Sequence, residues 1–306
     1  MRGSERSEEA AMREQMMKDQ HGVDVYTRWW MIDAPKGLVV IAHGASEHAG
    51  RYDRFAAALN DAGFAAVALD HRGHGRTGAS TGVGVTGIGG GMALLDDLQQ
   101  LRQEATAAIG ADVPVYFFGH SMGSLIGLAY LVHHSAGLAG GVLCGFASNV
   151  NDMASLAEML KGLADAGMRD ASAADMLAAN NAPFEPARTK FDWLSRDEAE
   201  VDAYVSDPFC GDSNPLTFGY FIDLFDVVAP TVQRLGDIEC PVLVIAGEQD
   251  PAAGMGSFVT IAADAMRAAG VAVDSTIYPD ARHELLNETN RDAVTADLVG
   301  WFTSRR

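Results

Sequence analysis

The chain of 306 residues is 48% hydrophobic and 21% charged, an ordinary globular balance, and its length suits one large α/β unit with an insertion or two domains. Twenty-two Lys and Arg against 41 Asp and Glu leave a net charge of −19, which repels phosphate backbones and anionic membrane faces and excludes nucleic acid as a partner. Three cysteines, Cys144, Cys210 and Cys240, lie far apart with no C-x-x-C pair, so a disulfide framework is ruled out.

Residues 1–22 read as an N-terminal extension. They alternate charged and small residues without the unbroken apolar stretch that a secretory signal or a membrane span requires, which points to a cytoplasmic protein. From residue 23 onward, short apolar runs at 23–31, 37–42, 64–69, 113–118, 140–144, 242–246 and 271–278 read as strands. Between them, residues 54–62, 92–109, 122–134, 258–269 and 288–303 repeat apolar residues at three and four, the helical period. The alternation predicts an α/β fold with a mostly parallel central sheet flanked by helices. It breaks between 148 and 235, where Met- and Ala-rich helical stretches replace it; Met153, Leu156, Met159, Leu160 and Leu163 share one helix face there. The expected organisation is a core of 23–147 and 236–306 with an inserted helical cap at 148–235.

Gly119-His120-Ser121-Met122-Gly123 follows an apolar run and opens a helical one, a G-x-S-x-G motif in strand-turn-helix context. Such a turn presents a serine oxygen clear of the sheet, where a base can activate it, and the flanking glycines are needed because a tight turn leaves no room for a Cβ. In chain order the partners should follow. Asp250 lies just beyond the carboxyl end of the strand at 242–246, with Glu248 as its rival, and His283 sits in the loop before the last helix. His283 is the natural general base and Asp250 the group that orients it. An oxyanion hole would draw on the backbone N–H of Met122 and, from the loop after an early strand, that of Ala45.

These residues, with His43-Gly44-Ala45-Ser46-Glu47-His48, Arg51-Tyr52 and Asp70-His71-Arg72-Gly73-His74-Gly75, make the chain resemble the α/β-hydrolase superfamily, and within it the monoacylglycerol lipase and lysophospholipase-like serine hydrolases. The segments Phe191-Asp192-Trp193-Leu194-Ser195-Arg196-Asp197 and Asp207-Pro208-Phe209-Cys210 resemble caps of this group. The resemblance implies an acyl hydrolase with no cofactor and no metal, whose helical cap admits an acyl chain to Ser121. The sequence departs from the family where Ser124 stands in place of a second glycine after Gly123, and where residues 77–91 form an unusually glycine-rich loop.

Other signals carry less. Gly82-Val83-Gly84-Val85-Thr86-Gly87 satisfies G-x-G-x-x-G but follows no strand, so it reads as a flexible loop. His283-Glu284-Leu285-Leu286-Asn287 begins like the zinc signature H-E-x-x-H yet ends in asparagine. Glu47, Arg51, His71, Arg72 and His74 read as scaffolding near the mouth of the site, an Arg–Glu pair among them; His120 and Cys144 read as packed, and Cys210 as the cysteine within reach of solvent.

The sequence thus predicts a serine carboxylic-ester hydrolase acting on neutral acyl esters such as monoacylglycerols, through a Ser-His-Asp triad and an acyl-enzyme. A short-chain carboxylesterase and an aminopeptidase are the alternatives, since one triad serves all of these. A non-catalytic binding protein is a reading from another class, disfavoured because every member of the constellation is present. An exposed apolar cap face would suit a homodimer or a transient contact with a lipid interface, and the sequence does not choose between them.

Overall fold

A computed structural model describes residues 12–305. Its strands are β1 (Arg13–Lys18), β2 (Asp24–Trp30), β3 (Gly37–Ala42), β4 (Phe64–Leu69), β5 (Val115–His120), β6 (Leu138–Cys144), β7 (Val242–Gly247) and β8 (Val273–Tyr278), ordered β1-β2-β4-β3-β5-β6-β7-β8 across one sheet. β1 pairs antiparallel with β2 and β2 with β4; every later pair is parallel. β3, β4, β5 and β7 are buried along their whole length, which is why they read as unbroken apolar runs: a parallel sheet is covered on both faces.

The strand period of two sorts these runs into two cores. Leu38, Val40, Ala42 and Phe117 point into one, where α3 (Gly90–Ile109), α4 (Met122–His134) and α9 (Ser257–Ala268) pack Leu98, Ile126 and Val259 against them. Val39, Ile41, Tyr116 and Phe118 point into the other, covered by Phe55 and Leu59 of α1 (Asp53–Asp61) and by Leu298 and Phe302 of α10 (Arg291–Thr303). α4 is apolar all round because it is buried all round. Between β6 and β7 the chain leaves the sheet and forms α5 (Met153–Asp165), α6 (Ala174–Ala178), α7 (Glu198–Ser206) and α8 (Phe218–Val228), linked by short 3₁₀ turns; α8 packs on α3, α4 and α5. Among the described residues no helix is long and apolar enough to cross a membrane.

Several local expectations shift. Of the extension expected over residues 1–22, residues 1–11 lie outside the described residues, and the remainder supplies β1, where the sequence reading placed no element. Only Met17 of β1 is buried; an edge strand needs main-chain partners on one side only, and charged side chains there discourage further pairing, so no apolar alternation marks it. Part of the glycine-rich 77–91 loop is helical: α2 (Gly75–Thr81) forms because the buried Asp70 carboxylate accepts the Arg76 N–H at 2.8 Å, and the Ser80 and Thr81 hydroxyls bond back to the Thr77 carbonyl. The last helix begins at Arg291 rather than 288 because Glu288 is taken up elsewhere. Its fully buried carboxylate accepts the N–H groups of Arg196, Arg282 and Thr289.

Arg72 shows what the turn after β4 depends on. Only 1% exposed, it pairs with Asp19, between β1 and β2, and with Asp97 of α3 at 2.7 Å, and donates to the Ile88 carbonyl. Arg72→Met would leave two buried carboxylates without their cation, a loss of about 3–5 kcal/mol. The expected outcome is a lower urea midpoint than wild type, with the slope of the transition unchanged.

Candidate active site

The strand β5 ends in Gly119-His120, and α4 starts at Met122, so Ser121 must turn the chain within one residue. It does so at φ 53° and ψ −119°, a conformation that a non-glycine residue holds only when its surroundings over-determine it. They do. A Cβ on Gly119 would lie 2.2 Å from the Gly123 carbonyl oxygen, and one on Gly123 would lie 2.2 Å from that of Ala42 at the end of β3. Both glycines are required by this close approach, as the sequence predicts. The family's second glycine is replaced without strain, since the buried Ser124 donates its hydroxyl to the Ser121 carbonyl at 2.6 Å.

The loops after β7 and β8 bring Asp250 and His283 to the same carboxyl edge. Ser121 Oγ lies 2.8 Å from His283 Nε2, and His283 Nδ1 lies 2.8 Å from Asp250 Oδ2. The other Asp250 oxygen accepts the N–H groups of Ala252 and Ala253, which fixes the carboxylate. Glu248, the rival, is exposed and accepts the Asp280 N–H instead. Burial alone would push the His283 imidazole down, but the Asp250 charge and its hydrogen bond, with Glu284 and Glu47 nearby, outweigh it and hold the group above its ordinary 6.5.

Ala45 and Met122 line one cavity wall together with Ser121. The Ala45 loop is braced from below. Glu47 accepts the Gly44 N–H, the Tyr52 hydroxyl at 2.9 Å and an Arg51 N–H at 2.9 Å, while Arg51 grips both oxygens of Glu284. Burial pushes both carboxyls up, yet the Arg51 guanidinium outweighs it and keeps them below the usual range. The expected Arg–Glu pair is therefore present, and the acid of the incomplete zinc signature, Glu284, is its second partner, bonded also to Asn287. Behind the loop, His43 accepts the His71 N–H at 2.9 Å and its ring lies 4.4 Å from that of His71 and 5.1 Å from that of His74. Burial pushes His43 and His74 down to about 3, so these rings are neutral packing groups.

Two expectations need correction here. Cys210 is buried, 1% exposed, with Trp193, Leu194 and Tyr204, because its loop folds down onto the Ala45 loop through a Gly211 N–H to Ser46 carbonyl bond. The glycines at 82–87 are not a loose loop: Thr217 donates to the Gly84 carbonyl, Thr86 bonds Asp223, and a Cβ on Gly84 would lie 2.2 Å from the Pro215 carbonyl oxygen.

Of the side chains that shape the space around Ser121, sequence reasoning named Leu156 and Leu160 as part of a helix face and missed the others. On one side is an apolar cavity of about 230 Å³ walled by Leu125, Leu156, Leu160, Met176, Phe221 and Phe225. A second cleft beside it is lined in part by Glu47, Glu284, Lys190 and Asp212, the last two joined at 2.6 Å. Trp193 and Leu177 stand on both. The apolar stripe of α5, which holds Leu156 and Leu160, was a sequence signal for this cavity.

Residues 33–290 match the family model described as serine aminopeptidase, S33. The chain is 32% identical over 294 residues to a monoacylglycerol lipase of Mycolicibacterium smegmatis, with 92% of each covered. It is 28% identical to the mouse monoglyceride lipase, over 75% of this chain and 70% of that one. A thermostable carboxyl esterase from Bacillus coagulans superposes with a TM-score of 0.87 at 29% identity, covering 96% of this chain and 99% of that one. With its sheet order, its strained serine and these relatives in agreement, the chain belongs to the serine aminopeptidase S33 family of α/β-hydrolases, on its monoacylglycerol lipase-like side, and is a carboxylic ester hydrolase.

Proposed function

We propose that this hydrolase cleaves neutral acyl esters such as monoacylglycerols through a Ser121–His283–Asp250 triad and an acyl-enzyme. The observation that carries the reading is the position of Ser121, hydrogen-bonded to His283 at 2.8 Å, on an apolar cavity sized for a hydrocarbon chain and on a second cleft whose lining includes charged side chains that would take the alcohol. His283 takes the hydroxyl proton as Ser121 Oγ attacks the ester carbonyl, and Asp250 stabilises the imidazolium. The N–H groups of Ala45 and Met122 receive the oxyanion. The imidazolium then gives its proton to the departing alkoxide, and water, deprotonated by the same ring, releases the acid. On this reading residues 148–235 act as a cap over a core of 23–147 and 236–306, since they supply the walls of both spaces. The names of the relatives support a monoacylglycerol over an aminoacyl substrate.

Three outcomes are expected. Ser121→Ala and Asp250→Asn each lower kcat by roughly 10⁴-fold or more, whereas Glu248→Gln stays within about twofold of wild type. Because neutral imidazole is the active form and His283 is held above 6.5, kcat/KM falls as pH drops through a midpoint above 6.5. In a series of monoacylglycerols from acetate to stearate, rates peak at a medium or long chain; a steep fall beyond butyrate would make the enzyme a short-chain carboxylesterase.

A further inference from the structure

Trp193 belongs to the stretch between β6 and β7, far in sequence from the residues of the triad, yet its ring centroid lies 4.6 Å from that of His283, at 35° to it. The contact is built rather than incidental. The backbone N–H of Trp193 donates to the buried Asn181 side chain at 2.9 Å, and the Trp193 carbonyl accepts the backbone N–H of His283 at 3.4 Å. On either side, the Leu194 carbonyl accepts the Glu284 N–H at 2.7 Å, and Arg282 donates to the carbonyls of Asp192 and Ser195. The segment 192–195 is thus clamped along the loop that carries His283, and it holds an indole, itself only 7% exposed, over the ring.

We propose that Trp193 is a positioning residue for the ester hydrolysis, holding the His283 ring in register with Ser121 and stabilising its imidazolium form through the indole face. This rests on the triad reading above. The cation that His283 becomes during the reaction is 1% exposed and cannot be hydrated, so it depends on what surrounds it. The charged and titratable groups about it are Asp250 at 2.8 Å, Glu284 and Glu47 with Arg51 between them, and His120, whose ring lies 4.8 Å away. Burial and the neighbouring His283 push His120 down to about 4, so it stays neutral and adds no second cation. The Trp193 face supplies the remaining contact, and an electron-rich indole face is the best of the aromatic partners for a cation. The same ring is a wall of both cavities, so it also keeps bulk water from the imidazole.

The test separates the π face from simple covering. Trp193→Leu keeps an apolar lid and loses the π system, while Trp193→Phe keeps both. For hydrolysis of one medium-chain monoacylglycerol, Trp193→Leu is expected to move the acid midpoint of kcat/KM down by about one pH unit, and to lower kcat and kcat/KM together by about tenfold with KM little changed. Trp193→Phe is expected to stay within about threefold of wild type. A Trp193→Leu enzyme with wild-type midpoint and kcat, altered only in KM, would overturn the proposal and leave Trp193 a cavity wall. A readout independent of turnover covers a leucine variant that does not fold. Protonated imidazole quenches indole emission on contact, so the difference in emission between wild type and Trp193→Phe should fall as pH drops through the same midpoint, and a flat difference would equally overturn the proposal. Ser121→Ala is expected to be inactive yet to keep this quenching; if it retained activity, the triad reading would fail and the stacking would stand apart from it.

Discussion

The guanidinium of Arg51 lies buried between two carboxylates, one on the loop after β3 and the other on the residue next to His283. An isolated charge at such depth would be costly, and one cation between two anions still leaves a net negative charge. That arrangement has two effects. It fixes the distance between the Ala45 loop and the His283 loop, because Glu47 also holds Gly44 N–H and Tyr52 while Glu284 holds Asn287. It also surrounds His283 with negative potential that works with Asp250 to favour the proton. The spacing of the two loops is therefore set by one ion cluster, which also adds to the basicity that Asp250 gives His283.

Around that cluster the parallel sheet does what such sheets do: it ends several strands at one edge and lets short loops carry function. β3 leads to Ala45, β5 to Ser121, β7 to Asp250 and β8 to His283. The strained backbone of Ser121 persists because β5 presses on the start of α4 at Gly119 and α4 presses on the end of β3 at Gly123, so the turn has no other shape to relax into.

What the sequence made legible follows from how local each constraint is. The elbow could be read because the clash at Gly119 is with Gly123, four residues on, and the strand and helix on either side are strongly patterned, although Gly123 itself answers to the distant Ala42 carbonyl. Asp250 and His283 could be read because each lies in the loop that follows a strand, in a fixed chain order, and burial then separates Asp250 from the exposed Glu248. The Glu284 pairing with Arg51 could not, since the partners are 233 residues apart and either side chain alone looks like a surface charge. The same holds for Asp19 with Arg72. β1 was invisible because an edge strand with exposed charged side chains carries no periodic signal, and α2 because its start depends on a carboxylate from the previous strand. Trp193 stood inside a recognised cap motif, but only the folded chain places its ring on His283.

The stretch between β6 and β7 is laced to the rest of the molecule at the loops that hold Ala45 and His283. Gly211 and Asp207 bind the Ser46–His48 turn, and residues 192–196 bind 282–288. Such an insertion is not an interchangeable module. Grafting it from a relative to change substrate range would cut hydrogen bonds that hold the Ala45 loop and the His283 loop, so a working chimera has to carry residues 46–48 and 282–288 across together with the stretch they were shaped to meet.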